Sequence, residues 1–139
     1  MERDIERYVK AHYCDFETAR DEIASGRKRG HWMWYIFPQI EGLGFSPTSQ
    51  YYGLQGREEA AEFLAHPMLG RNLRELCEIL LTLPTTLTAE DILGPVDALK
   101  LRSSMTIFDA VSPSDIFASV LARYYASTPC PQTLERISI

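Results

Sequence analysis

The sequence predicts an all-α protein, a compact single-domain bundle of several helices with buried central ones. Three observations carry that expectation. Apolar residues recur three and four apart through most of the chain. Capping residues followed by proline punctuate it at intervals. Strict alternation of polar and apolar residues over a strand's length appears nowhere. With 139 residues and no low-complexity tract, repeat or linker, the chain reads as one helical domain over 1–139.

Taken in order, Ile5, Tyr8, Val9 and Tyr13 form a first short apolar stripe. Asp15 is placed to cap a second helix bearing Phe16, Ala19 and Ile23, with Gly26 to end it. His31 to Phe37 is rich enough in aromatics for a buried strand. No partner strand is in sight, so a short buried helix ended by Pro38 is expected. Ser46-Pro47 and Ser112-Pro113 each read as a helix start. Pro67 stops a helix carrying Ala60, Phe63 and Leu64 and opens another, where Leu69, Leu73, Leu76, Cys77 and Leu80 run until Pro84. His66 is placed to cap that junction, and Thr88 with Asp91 has nearly the form of a capping box. Pro95 to Val111 is apolar on more than one side through Leu99, Leu101, Met105, Ile107 and Phe108, which predicts a central helix. Ile116, Phe117, Val120, Leu121 and Tyr124 give another stripe, and Leu134 with Ile137 a short terminal helix.

Composition narrows the function classes. Hydrophobic residues make up 45% and charged ones 24%, as in ordinary globular proteins. A net charge of −5 repels a phosphate backbone, so nucleic acid is not an expected partner. The longest apolar run, Met33 to Phe37 with Trp32 before it, falls far short of the roughly 20 residues that span a bilayer, so no membrane partner is expected. Met1-Glu2-Arg3-Asp4 leads into no signal peptide, and Cys14, Cys77 and Cys130 lack metal-site or framework spacing. A cytoplasmic protein with neither metal nor cofactor is the expectation.

Two segments could carry chemistry. Gly26-Arg27-Lys28-Arg29-Gly30-His31-Trp32-Met33-Trp34 continues to Gln39 and sets three consecutive cations beside a histidine and two tryptophans. Arg27 and Lys28 suit a phosphate or carboxylate, His31 is the candidate proton-transfer residue, and Trp32 or Trp34 could stack on a base. The opposing reading makes the tryptophans core and the cations a neutralising cluster at a helix C-terminus. In Lys100-Leu101-Arg102-Ser103-Ser104-Met105-Thr106, helical spacing puts Lys100 one turn from Ser103 and Ser104. Those residues could complete the same pocket, or the hydroxyls could simply let helices approach closely.

The chain resembles the bacterial family catalogued as domain of unknown function 1810, some members of which carry the label "calpastatin". The resemblance runs from Ile5 to about Leu134. It rests on Gly26-Arg27-Lys28, His31-Trp32-Met33-Trp34, Phe37-Pro38-Gln39, Gly42-Leu43-Gly44, His66-Pro67 and Leu99-Lys100 with Ser103-Ser104-Met105-Thr106. It departs from the family pattern around Arg71-Asn72 and Cys130-Pro131-Gln132. The resemblance implies a compact multi-helical fold and transfers no activity.

Three functions compete at this point. The first is a pocket for a small anion, such as a nucleotide or nucleotide-sugar, built from Arg27, Lys28, His31, Trp32, Trp34, Gln39, Lys100, Ser103 and Ser104. The second is a protein-interaction module anchored on the Arg27 to Tyr35 stretch. The third is a structural role for both segments.

Overall fold

A computed structural model describes residues 3–138. Helix α1 (Glu6–Ala24) is one unbroken helix where the sequence suggested two. Tyr8, Val9, His12, Phe16, Ala19 and Ile23 form a continuous buried stripe, and no glycine or proline interrupts it. Asp15 therefore caps nothing, and instead accepts a hydrogen bond from the Tyr35 hydroxyl. Tyr13 lies off the stripe and is exposed. Gly26, at φ +81°, turns the chain away after the helix ends.

The aromatic stretch forms α2 (Met33–Ile36), a single turn with Met33 and Ile36 buried and Trp34 and Tyr35 half-buried, followed by Pro38. Among the described residues β pairing is confined to one isolated parallel bridge, Ile40 to Leu54. Ser46 starts α3 (Pro47–Tyr52) by accepting the Ser49 N–H at 3.1 Å. Helices α4 (Arg57–Ala65) and α5 (Pro67–Thr82) meet at His66, whose Nδ1 accepts the N–H groups of Met68 and Leu69. A Cβ on Gly70 would lie 2.1 Å from the Leu64 carbonyl oxygen, so only glycine lets α5 leave that junction.

The Thr88–Asp91 capping box is complete at the start of α6 (Ala89–Leu93). Helix α7 (Pro95–Val111) has the expected bounds and packs against α4 and α6, and also against α8 (Ile116–Tyr125) and α9 (Pro131–Ile137). Helix α8 begins later than Ser112-Pro113 suggested, because Ser114 takes a left-handed conformation at φ 61°. The Ser112 hydroxyl donates to Asp115, and Asp115 caps the helix by accepting the Ile116 N–H.

One expectation for a core residue fails: Leu99 is 64% exposed. Leu134 and Ile137 do lie on the expected terminal helix, α9. Leu99 sits on the outer side of α7's first turns, beyond the reach of the helices that bury Leu101, Met105 and Phe108.

A buried ion pair fixes the end of α3 and the residues just after it. Arg7 donates to both Glu59 carboxylate oxygens at 2.8 and 2.9 Å and to the carbonyls of Tyr51 and Gly53. Paired this way, neither charge is left uncompensated in the core. Leu54, thus held, exchanges backbone hydrogen bonds with Gln39 and Glu41 at 2.8 and 2.9 Å. Further along the same loop, Arg136 of α9 donates to the Gly42 carbonyl at 3.1 Å. Gly42 has φ +94°, and a Cβ there would fall 2.4 Å from the Arg136 guanidinium. The loop over 39–44 is thus held at Gln39, Glu41 and Gly42.

Candidate functional site

The three consecutive cations divide. Glu22, near the end of α1, gathers the following loop with one carboxylate oxygen, which accepts the N–H groups of Arg29 and Gly30 and the indole N–H of Trp32 at 2.8–2.9 Å. Burial opposes ionisation of Glu22, but those hydrogen bonds and the nearby Lys28 charge outweigh it and hold the carboxyl below its ordinary range. With the loop so folded, Trp32 is 1% exposed and belongs to the core. Arg27, Arg29 and His31 are exposed.

Lys28 is drawn inward. Its N–H donates to the Ile92 carbonyl at 2.7 Å, and its ammonium lies 2.8 Å from Asp97 and 5.0 Å from the Trp32 ring centroid. The ammonium also donates to the Gly30 carbonyl. Asp97 sits in the first turn of α7, where a carboxylate is favoured. Its other oxygen lies 3.7 Å from Lys100, whose ammonium rests 4.9 Å from the Trp34 ring centroid. The two predicted segments therefore meet at Asp97, a residue the sequence reading had not placed in the site. One carboxylate faces two ammonium groups, which leaves one positive charge in excess. Lys100 is the more distant of the two and the more exposed, with a side chain 22% accessible against 8% for Lys28.

Beside Lys100 runs an open groove of 430 Å³. Its floor is one face of α7, residues Val96, Leu99, Lys100 and Ser103, at helical spacing. Gln39, Leu43 and Gly44 of the loop over 39–44 also line it, as do Cys130 and Gln132. Arg102 also lines it, donating through Nε and Nη2 to the carbonyls of Thr128 and Pro129 at 2.9 and 2.8 Å. The volume lies in the ordinary range for small-molecule sites. A neighbouring crevice between Trp34, Gln39 and Lys100 measures 10 Å³, room for about one water.

The hydroxyls do other work. Ser103 shares a 2.6 Å hydrogen bond with Thr133, and Thr106 accepts the Cys130 N–H at 2.9 Å while bonding back to the Arg102 carbonyl. Together with Arg102 they fasten the start of α9 to α7. Ser104 is fully buried, and its hydroxyl has no partner.

Of the predicted site residues, Gln39, Lys100 and Ser103 come together on the groove, with Trp34 beneath Lys100. Lys28 reaches it through Asp97. Arg27, His31, Trp32 and Ser104 are not among its lining residues. Sequence reasoning included Arg102 only as part of the Lys100–Thr106 segment and passed over Leu43, Val96, Leu99 and Gln132. Val96, Leu99 and Lys100 do sit at helical spacing with Ser103, a signal masked by treating every apolar residue of α7 as core.

Other openings differ in charge. One between α1 and α5 pairs Arg20 and Arg71 with Glu17 and Glu75, and another is lined by Asp4, Glu58, Glu59 and Glu62 against Arg3. A third sets Glu58 among Arg57 and Arg136. The groove on α7 has two cations and no carboxylate in its lining. Among the described residues no cluster of histidine, cysteine or carboxylate side chains is arranged for a metal ion.

Fold and site together define a compact all-helical protein with a cationic groove beside its central helix. The chain belongs to the family described as protein of unknown function (DUF1810), whose profile matches residues 2–137. It is also similar to the crystal structure of a conserved hypothetical protein, Rv1873 of Mycobacterium tuberculosis, at 38% identity over 96% of each chain and a TM-score of 0.93. No curated protein matches the chain in sequence. Among the described residues no helix is long and apolar enough to cross a membrane.

Proposed function

We propose that this protein binds a small anionic ligand in the groove along α7, with Lys100 as the principal cation and Arg102 at its side. The observation that carries the reading is a groove lined by two cations and no carboxylate in a chain of net charge −5. A positive concavity on an acidic protein attracts small anions while the remainder repels extended polyanions. Gln39 and Gln132, both in the lining, supply neutral amide donors. Lys28, Glu22 and Trp32 support the site from behind by fixing Asp97 and the loop around it. Arg27 and His31 stand outside this binding role, and no reaction is assigned. The three free cysteines, two of them buried, suit a cytoplasmic location.

A thermal-shift screen of nucleotides, nucleotide-sugars, phosphorylated metabolites and small acids tests the reading. A ligand at one hundred times its dissociation constant stabilises the fold by about 2.7 kcal/mol, a shift of several degrees for a domain of this size. The shift should vanish in Lys100→Met and persist in Arg27→Ala. Loss in Arg27→Ala with retention in Lys100→Met would move the site to the loop after α1.

A further inference from the structure

Resting on that anion-site reading, we infer that the groove takes an amphipathic monoanion, a single carboxylate carried on an apolar body, rather than a nucleotide. The apolar half is written in the lining. Val96 and Leu99, one turn apart on α7, are 66% and 64% exposed, and Leu43 faces the same groove. Contiguous exposed aliphatic surface beside a charged group is the signature of a site that covers it with ligand.

The charged half offers one ammonium, Lys100, to meet a ligand head-on. Arg102 has two of its three guanidinium nitrogens bonded to backbone carbonyls. Lys100 shares Asp97 with Lys28. A carboxylate meeting Lys100 gains more from the adjacent ammonium than it loses to the farther Asp97, whereas each further phosphate charge adds repulsion from Asp97 without a second ammonium to meet it.

A nucleobase finds no platform either. Trp32 is buried, Trp34 lies under the Lys100 ammonium, and no aromatic ring lines the groove. The groove's length also matches this order of groups. Val96 and Leu99 precede Lys100 along one helical face, so an apolar tail can lie on the first turns of α7 with its head at Lys100 and the Gln39 and Gln132 amides beside it.

Calorimetric titration of the full chain with acetate, butanoate, hexanoate and octanoate, alongside octanamide, AMP and inorganic phosphate, tests the inference. Each methylene buried tightens binding by about fourfold, so octanoate should bind at least tenfold tighter than butanoate. Octanamide, without the charge, should bind at least tenfold more weakly than octanoate. Leu99→Ser changes an exposed residue, so folding is preserved; it should flatten the chain-length series while sparing acetate. Lys100→Met should weaken octanoate at least tenfold. Should AMP or phosphate bind tighter than octanoate and be lost in Lys100→Met, the monoanion inference falls and the anion site stands. A flat chain-length series also overturns the inference. Absence of binding by every anion overturns both.

Discussion

Replacing Asp97 with asparagine separates stability from binding, because that carboxylate acts oppositely on the two. In the folded protein it lies 2.8 Å from a Lys28 ammonium that is 8% accessible and 3.7 Å from Lys100. A fully buried pair that loses one partner costs about 3–5 kcal/mol, and an exposed one about 0–1 kcal/mol. The Lys28–Asp97 pair lies between those limits. Lys28 keeps the Gly30 carbonyl and the Trp32 face, and asparagine keeps an acceptor oxygen, so the expected loss is about 1–2 kcal/mol. For a chain of this length that lowers the melting temperature by roughly 3–7 °C. Binding moves the other way. An anion on Lys100 would stand roughly 6 Å from the Asp97 charge, where Coulomb repulsion amounts to about 1–3 kcal/mol before salt screening. Removing it should tighten anion binding by at least about fivefold at low salt, with the gain shrinking as salt is added. Thermal melts and calorimetric titration of octanoate on the same Asp97→Asn sample read both effects. Affinity falling together with stability would refute the reasoning, since Asp97 would then be orienting Lys100 rather than competing for it.

Two further outcomes follow from the buried polar groups. Glu22→Ala removes the acceptor for three donors, one of them the indole N–H of a core tryptophan, and should cost about 2–3 kcal/mol; a melting temperature within about 2 °C of wild type would show that the loop after α1 folds without it. Burial pushes His12 down to about 4 from an ordinary 6.5, with the Tyr35 carbonyl and Asn72 satisfying its neutral ring. Between those values the unfolded chain binds a proton that the folded one refuses, so stability present above pH 6.5 is lost as the pH falls toward 4, by about 3 kcal/mol in all. Urea melts from pH 7 to 4.5 check the slope, and an NMR titration placing His12 near 6.5 would remove its cause.

Much of the fold was legible because its signals are local. The capping hydroxyls at Ser46 and Thr88, the prolines opening α5 and α7 and the periodicity of α5 fix those elements within a few residues of chain. The misreadings have local causes as well. Asp15 resembled a cap, but a cap matters only where the apolar stripe breaks, and here it does not. Ser112-Pro113 resembled a start, but the chain passes through a left-handed Ser114 first.

The site was half legible. The sequence brought the Arg27 and Lys100 segments together on residue type alone, and they do meet. What joins them is Asp97, one turn before Lys100, together with the choice that sends Lys28 inward while Arg27 and Arg29 stay out. That choice is made by Glu22 and by the Ile92 carbonyl, neither adjacent in sequence. The exposed side of α7 was missed for a similar reason. An all-round apolar helix is read as wholly buried unless its neighbours are known to stop short of Leu99.

In the proposed site Lys100, and not Arg27, is the cation that meets the ligand. Titrating octanoate and AMP into wild type, Lys100→Met and Arg27→Ala, followed by backbone amide NMR, tests it most directly. At least one probe should shift amides of Gln39, Leu99 and Gln132, with affinity reduced at least tenfold in Lys100→Met and unchanged in Arg27→Ala. Wild-type affinity in Lys100→Met, or shifts clustered at residues 27–31 and lost in Arg27→Ala, would contradict it.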